Sequence, residues 1–212
     1  MELVNPLAEV YATNFSTCED ELLQSIAQFT EQNHPHAHML SGAVQGSFLS
    51  MLSQLLQPMY IVEVGSFTGY SALCLAKGLQ PSGKLYTIEL REKDAATAQN
   101  FFNKSLYRHQ IIQLIGNAKE ILPTLPQTWD IAFIDADKTG YIEYYELILP
   151  KLKTNGIIVA DNVLFHGQVL ELSINGKNAK AINEFNLHVK NDCRVEQVML
   201  TIRDGLMVIR KK

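Results

Sequence analysis

The sequence predicts an α/β fold with a central, mostly parallel seven-stranded β-sheet and helices on both faces. Two observations carry this prediction. Between residues 60 and 160, short apolar runs alternate with amphipathic helical patterns, which is typical of a parallel sheet covered on both sides. Near the C-terminal end, two β-rich runs flank Asp204-Gly205, a strong hairpin signal. We therefore expect the sheet to finish with an antiparallel strand.

The composition is that of an ordinary globular protein. The 212 residues, without repeats or a low-complexity linker, suffice for a single domain over residues 1–212. A net charge of -4 disfavours a nucleic-acid-binding face, which needs clustered Lys and Arg. No apolar run approaches the roughly 20 residues of a membrane span, and the N-terminal residues lack the pattern of a signal peptide. We expect a cytoplasmic protein without a nucleic-acid or membrane partner.

Residues 1 to about 57 are predicted to form a helical N-terminal extension. Its first apolar face follows Thr17 and Asp20, which form a possible capping box, and consists of Leu22, Leu23, Ile26 and Phe29. A second face stops at Pro58 and consists of Phe48, Leu49, Leu52, Leu55 and Leu56. The loop between them contains His34, His36 and His38. Because no partner ligand is visible in the sequence, we expect a surface loop near the active-site mouth rather than a metal cluster.

From residue 60 onward, strands and helices alternate. The expected parallel strands are 60–64, 84–89, 111–115, 130–134 and 156–160. The expected helices between them are 70–79, 92–105, 118–125 and 141–149. A last helix over 179–189 precedes the two C-terminal runs, 195–202 and 206–209. In the fourth helix, Tyr141, Tyr144 and Tyr145 recur at helix spacing, and we expect them to be packing residues.

Two of the predicted strands end in oxygen-bearing side chains. Asp135 follows the strand 130–134, and Asp161 and Asn162 follow the strand 156–160. If these strands are neighbours, their tips lie about 4.8 Å apart, so the three side chains could share one cation. A set of oxygen ligands without Cys or His selects a hard cation, Mg²⁺, Ca²⁺ or Mn²⁺, over zinc.

Lys138 follows Asp135 by three residues, so a helical turn would project both side chains to the same side. A divalent cation beside this lysine would lower its pKa and let it act as a general base. The alternative is that Asp135 and Asp137 cap the following helix and Lys138 is surface charge.

The loop Glu63-Val64-Gly65-Ser66-Phe67-Thr68-Gly69-Tyr70-Ser71 joins the first strand to its helix. Its glycines permit a tight turn and a close approach to a ligand, but their spacing lacks the pyrophosphate-binding fingerprint. Glu89 ends the second strand, where a carboxylate can accept both hydroxyls of a ribose. A ligand with a ribose and a carboxylate but no required diphosphate describes S-adenosylmethionine. The alternative is that the glycines only form a turn and Glu89 is a solvated strand end.

The motifs EVGSFTGYSALCLA, FIDADKTGYIEYYE, VADNVLFHGQV and RDGLMVIR resemble those of cation-dependent S-adenosylmethionine O-methyltransferases of the caffeoyl-CoA and catechol type. The resemblance runs from about residue 39 to the C-terminus and implies a Rossmann-like methyltransferase fold. It implies cofactor binding by Ser41, Glu63, Gly65, Ser66, Ser71, Glu89, Ala118 and Asp135. It implies metal ligation by Asp135, Asp161 and Asn162, catalysis by Lys138, and a substrate contact by Asp137, whose alternative role is to cap a helix.

The function that this resemblance implies is cation-dependent methyl transfer from S-adenosylmethionine to a hydroxyl of a catechol-like small molecule, a hydroxycinnamoyl compound or another vicinal diphenol. It also implies a homodimer and an N-terminal extension that covers part of the substrate and cofactor. The acidic-Gly-Gln run of the plant members is here Val44-Gln45-Gly46-Ser47, and the N-terminal segment matches poorly. Two alternatives stay open: a non-catalytic adenosyl-ligand-binding protein and a nicotinamide-dependent oxidoreductase.

Overall fold

The computed structural model describes residues 3–212 and is centred on one seven-stranded sheet with the order β3-β2-β1-β4-β5-β7-β6. The strands are β1 Tyr60–Val64, β2 Lys84–Glu89, β3 Ile111–Ile115, β4 Trp129–Ile134, β5 Leu152–Asp161, β6 Val195–Leu200 and β7 Leu206–Lys211. Strands β1 to β5 pair in parallel, whereas β7 is antiparallel to both β5 and β6. The predicted sheet is confirmed, including its antiparallel C-terminal strand.

The strand order places a crevice at the carboxyl ends of β1 and β4. Strand β1 pairs with β2 on one side and with β4 on the other, so the chain runs outward in both directions from this point. Open α/β sheets bind ligands outside the carboxyl ends of their strands at such a switch point. All strand tips that the sequence singled out lie along this edge.

The α-helices lie on both faces of the sheet, as predicted. Their bounds are α1 Pro6–Phe15, α2 Glu21–Asn33, α3 Ala43–Leu56, α4 Tyr70–Ala76, α5 Glu92–Lys104, α6 Ala118–Thr124, α7 Tyr141–Ile148 and α8 Lys177–Lys190. Short 3₁₀ turns cover Ala37–Met39, Lys138–Gly140, Leu149–Lys151 and Phe165–Leu170.

Alternate residues of each central strand enter opposite halves of the core. On one face, Val62 and Ala132 pack with Tyr145 of α7 and Phe185 of α8. On the other, Ile61 and Phe133 pack in a cluster that includes residues of α2 to α5: Leu23, Ile26, Leu49, Leu75 and Phe102. Because side chains alternate along a strand, the near-continuous apolar runs in the sequence supply both halves.

The N-terminal segment joins this core through α2 and α3. Helix α2 buries Leu23 and Ile26, whereas α1 buries none of its residues. The capping box predicted at Thr17 is wrong. Asp20 is the N-cap of α2, and its Oδ1 accepts a hydrogen bond from the Leu23 amide at 3.0 Å, which is the contact that a helix N-cap makes.

The C-terminal hairpin has a longer connection than its Asp-Gly pair suggests. Strand β6 ends at Leu200 and pairs with Leu206, so residues 201–205 form the loop. Arg203 (φ 50°) and Gly205 (φ 86°) are both left-handed there. Strand β5 also begins earlier than the predicted residue 156, at Leu152. The prediction begins too late because Lys153, Thr154 and Asn155 are exposed and carry no apolar signal.

Within residues 3–212, no helix combines the length and apolar character needed to cross a membrane.

Candidate active site

Strands β4 and β5 are neighbours, so the predicted oxygen-bearing tips lie side by side. Ile134 pairs with Ala160, one residue before Asp135 and Asp161 in their respective strands. The Asp135 amide donates to the Val64 carbonyl at 2.9 Å, which continues the β1 pairing to the last residue before the loop. The backbone of both strands therefore fixes where the two carboxylates start.

Lys138 connects two of the three predicted metal ligands. Its Nζ donates to Asp135 Oδ1 at 3.0 Å, to Asn162 Oδ1 at 2.6 Å and to the Tyr141 hydroxyl at 2.7 Å. These contacts use all three donors of the ammonium. The 3₁₀ turn Lys138–Gly140 supplies the predicted projection of Lys138 toward Asp135, so the interpretation of this lysine as surface charge is wrong.

The contacts of Lys138 determine its protonation. Burial lowers the pKa of its ammonium, but the neighbouring Tyr141 and Asp135 outweigh burial and raise the pKa above its ordinary value. A lowered pKa of Lys138 requires a cation bound at the same carboxylates. The contacts with Asp135 and Tyr141 therefore favour the charged form of Lys138.

Asp161 is a buried carboxyl, 3% exposed, with both oxygens engaged. Its Oδ2 accepts a hydrogen bond from Gln45 Nε2 at 2.6 Å, and its Oδ1 accepts one from the backbone N–H of Asn162 at 2.6 Å. Burial and then the charge of Asp135 raise the pKa of Asp161 to about 7. A positive charge shared between these two carboxylates would favour the ionised form of Asp161.

Asn162 sits in a left-handed conformation, with a φ of 55°, which Asn tolerates better than most residues. Its Nδ2 donates to Asp204 Oδ2 at 3.2 Å. The other oxygen of Asp204 accepts from the His166 amide at 2.5 Å. The loop between β6 and β7 therefore holds the Asn162 carboxamide so that its oxygen faces Lys138. His166 itself stays exposed in its loop.

Tyr141 belongs to the site, which the sequence interpretation missed. Its ring is buried and packs edge-on against Phe185 at 5.3 Å, as a packing residue would. Its hydroxyl, however, accepts from Lys138 and donates to the Asp161 carbonyl at 3.0 Å. The available signal was its spacing, three residues after Lys138.

The donor set fits a hard divalent cation. Asp135 and Asp161 offer carboxylate oxygens and Asn162 offers an amide oxygen, which are the ligand types that Mg²⁺, Ca²⁺ and Mn²⁺ prefer. Burial is the main cause of the raised pKa of Asp161, and the nearby charge of Asp135 adds to it, as expected for two carboxylates placed together. These are the three residues predicted from the strand tips, and metal ligation by them stays a prediction.

The loop between β1 and α4 packs directly on Asp135. Gly65 has a φ of 94°, and a Cβ placed on it would lie 2.0 Å from the Asp135 carbonyl oxygen. Only glycine therefore allows the two segments to touch. In the same loop, the hydroxyl of Ser66 is buried with no hydrogen-bond partner among the described residues. Such a buried polar atom suits a loop that receives a polar ligand.

Glu63 and Ser71, both predicted to hold the cofactor, contact each other. Ser71 Oγ donates to Glu63 Oε1 at 2.6 Å, and Thr87 Oγ1 donates to Glu63 Oε2 at 2.5 Å. Glu63 is 0% exposed, and its burial raises the pKa of the carboxyl to about 7. The pair supports the loop from within the protein, and a direct contact with the cofactor stays a prediction.

Glu89 lies at the carboxyl end of β2, facing the same loop. Its Oε2 accepts from the Phe67 amide at 2.8 Å and its Oε1 from the Arg91 amide at 3.0 Å. It is only 5% exposed, so its alternative interpretation as a solvated strand end is wrong. Two acceptor positions per oxygen leave this carboxylate able to bind further donors such as ribose hydroxyls.

The other predicted contacts surround this edge. Ala118 is the buried first residue of α6, after an Asn117 cap. Ser41 is buried between the 3₁₀ turn Ala37–Met39 and α3. Asp137 is exposed; its side chain does not cap the following turn but accepts from the Tyr144 hydroxyl. A substrate contact by Asp137 stays a prediction.

The histidine loop, residues 34–38, lies against the glycine loop, residues 63–71. His34 Nε2 lies 3.1 Å from Asp94 Oδ1, and its ring meets the Phe67 ring edge-on at 4.5 Å. His36 and His38 are exposed. Counting only His, Cys, Asp and Glu side chains of residues 3–212, one group of three has metal-binding spacing: Glu146, His188 and Asp192. There, Arg194 Nη2 lies 2.6 Å from both carboxylates, so one guanidinium already offsets part of their charge.

A family model described as O-methyltransferase matches residues 13–212. The chain belongs to this family. A probable caffeoyl-CoA O-methyltransferase of Dictyostelium discoideum is 35% identical over 207 residues, covering 95% of this chain and 90% of that protein. A catechol O-methyltransferase of Niastella koreensis is 33% identical over 186 residues, covering 86% and 83%. The predicted resemblance is confirmed.

Solved structures agree with the fold of this O-methyltransferase. The SAH-bound Podospora anserina methyltransferase matches with a TM-score of 0.89 at 28% identity, over 97% of this chain and 94% of that one. The Streptomyces achromogenes O-methyltransferase involved in tomaymycin synthesis, solved in complex with SAM, matches with a TM-score of 0.87 at 29% identity, over 97% and 96%. The predicted Rossmann-like methyltransferase architecture is confirmed.

Proposed function

We propose that this O-methyltransferase transfers a methyl group from S-adenosylmethionine to one hydroxyl of a catechol-like molecule, a hydroxycinnamoyl compound or another vicinal diphenol, in a reaction that requires a divalent cation. The observation that carries the proposal is the contact of Lys138 with both Asp135 and Asn162, next to Asp161 on the neighbouring strand, at the edge where the glycine loop ends. The similarity to caffeoyl-CoA and catechol O-methyltransferases supports this acceptor class.

The cofactor would lie along the carboxyl edge of β1 and β2. Glu89 would accept the ribose hydroxyls, and Ser66 offers a hydroxyl that has no hydrogen-bond partner within residues 3–212. Ala118 begins α6 after the carboxyl end of β3, and Ser41 follows Leu40, whose carbonyl accepts a hydrogen bond from Arg203 of the β6–β7 loop. The glycine loop touches Asp135, so the donor and acceptor sites are adjacent. Holding two reactants side by side can account for much of an enzymatic rate enhancement.

Asp135, Asp161 and Asn162 would hold the cation. When bound there, a divalent cation supplies Lewis-acid polarisation of the acceptor hydroxyl. Lys138 stabilises the ionised acceptor oxygen through its ammonium, or accepts the proton once nearby positive charge lowers its pKa. Tyr141 holds Lys138 in place through the 2.7 Å contact.

A methyl-transfer assay with a catechol and hydroxycinnamoyl panel, with and without EDTA, tests the proposal. We expect turnover that EDTA abolishes and Mg²⁺ or Mn²⁺ restores. Asp135→Ala should abolish cation-dependent turnover. Lys138→Ala should lose turnover but keep cofactor binding, and Lys190→Ala, which removes an exposed ammonium at the end of α8, should change neither.

Three results would contradict parts of the proposal. Turnover that persists in EDTA would show that the reaction does not require a cation. Full turnover by Lys138→Ala would show that this lysine has no role in the mechanism. Binding of S-adenosylmethionine without turnover of any diphenol would favour the alternative of a non-catalytic adenosyl-ligand-binding protein.

The homodimer and the cytoplasmic location stay predictions. Helix α1 exposes an apolar stripe made of Leu7, Val10, Tyr11 and Phe15. Light scattering of the purified protein would measure its mass in solution, and a monomer would contradict the predicted homodimer.

A further inference from the structure

Gln45 reaches the candidate cation site from the N-terminal segment. It lies in the first turn of α3, and its side chain is fully buried. Its Nε2 donates to Asp161 Oδ2 at 2.6 Å, across 116 residues of sequence. The ionised form of Asp161 can only accept hydrogen bonds, so toward this form the carboxamide presents its NH₂ group.

The two hydrogen bonds on Asp161 fix the plane of its carboxylate. Gln45 holds Oδ2, and the Asn162 amide holds Oδ1. The second of these comes from the adjacent residue, so it moves with the end of β5. Gln45 is therefore the contact that ties the carboxylate to a different element of the fold.

A glutamine is a costly choice at this position. The Gln45 Oε1 is buried and has no hydrogen-bond partner among the described residues. Leaving such a group unsatisfied costs about 1–3 kcal/mol, which an apolar side chain of similar length would avoid. The contact with Asp161 is what explains the glutamine at this buried position.

We propose that Gln45 is a positioning residue for the divalent cation, holding the Asp161 carboxylate in the orientation that ligates it. This inference rests on the proposed cation dependence. Residues that orient a metal ligand typically change metal affinity about 10- to 100-fold when they are removed. Because Gln45 belongs to α3, the position of the N-terminal segment then influences the affinity for the cation.

The test is Mn²⁺ binding measured by calorimetry on the full-length protein after EDTA treatment and dialysis. Gln45→Met removes both polar atoms with little change in volume. We expect it to raise the Kd for Mn²⁺ about 10- to 100-fold while SAH binding is unchanged. The matched control is Gln127→Met. Gln127 also has one donor contact, to the Tyr86 hydroxyl at 2.9 Å, and a buried unpartnered oxygen, but it precedes β4 at the opposite end of the sheet. Its Kd should stay unchanged.

Each outcome decides the inference. Equal Mn²⁺ affinity of Gln45→Met and the unmodified protein overturns the role of Gln45 but leaves the cation dependence intact. Failure of the unmodified protein to bind Mn²⁺ overturns both. Joint loss of Mn²⁺ and SAH binding in a folded variant would assign Gln45 a general structural role instead. If Gln45→Met does not fold, Gln45→Asn, which withdraws the amide from Asp161, carries the same expectation, and an unchanged Kd overturns the inference.

Discussion

Replacing Glu63 by Gln should remove a pH-dependent destabilisation of the folded protein. The Glu63 carboxyl lies fully inside the protein, beneath the glycine loop, and burial raises its pKa from 4.5 to about 7. A carboxyl with a higher pKa in the folded state binds its proton more tightly there. Its contribution is therefore most favourable below the unfolded pKa and is lost as the pH rises from 4.5 through about 7.

The magnitude follows from the two pKa values. One pKa unit corresponds to about 1.4 kcal/mol, so the rise from 4.5 to about 7 corresponds to roughly 3 kcal/mol. About 2 kcal/mol of this loss should fall between about pH 5.5 and about pH 8. In Glu63→Gln the amide cannot titrate, and the Ser71 and Thr87 hydroxyls can turn to satisfy it. The variant should therefore lose about 2 kcal/mol less than the unmodified protein over this pH interval.

Urea unfolding at the two pH values, with EDTA present, measures this difference. Asp161 also titrates with a raised pKa, but it is present in both proteins and cancels in the comparison. Glu171→Gln, which removes an exposed carboxyl, should keep the unmodified pH dependence. A Glu63→Gln variant whose stability falls with pH as steeply as that of the unmodified protein would refute the reasoning.

Two further substitutions test the loop and the lysine. Gly65→Ala should destabilise the fold and abolish SAH binding, because the new Cβ would meet the Asp135 carbonyl. Gly176 has a similar φ, but a Cβ there would meet no described atom within 4 Å. Gly176→Ala should therefore lower the free energy of unfolding by only about 1–2 kcal/mol. Equal thermal stability of the two variants would contradict this. Tyr141→Phe should lower kcat more than it changes the KM for S-adenosylmethionine. The ring would still pack on Phe185, but the hydroxyl contact with Lys138 would be lost. An unchanged kcat would show that Lys138 does not need this partner.

Much of the fold and the central part of the site could be predicted because they depend on local patterns. Each parallel strand is a short apolar run with a clear end, and the carboxyl ends of parallel strands must meet at one edge of the sheet. Asp135, Asp161 and Asn162 follow such ends directly. Adjacency of β4 and β5 was the one assumption needed, and the pairing of Ile134 with Ala160 confirms it.

The contacts that sequence reasoning missed depend on tertiary packing across long separations. Gln45 meets Asp161 only because α3 packs against the edge of the sheet. The available signal was a polar residue on the same helix face as Leu49, four residues later, which is buried. The Asp204-Gly205 pair predicts a hairpin turn, and this prediction gives Asp204 no further role. Its contact with Asn162 has no local signature.

The contacts of Lys138 raise its pKa, whereas the sequence predicts a lowered pKa beside a bound cation. The position of the ammonium explains both. Its ammonium contacts Asp135 Oδ1 and Asn162 Oδ1, which are two of the oxygens that would hold the cation. A cation at these oxygens must therefore share them with the ammonium or displace it. Displacement would exchange two favourable contacts for repulsion by a divalent charge, and the pKa of the lysine would fall. The same residue then balances the carboxylates in one arrangement and can accept a proton in the other.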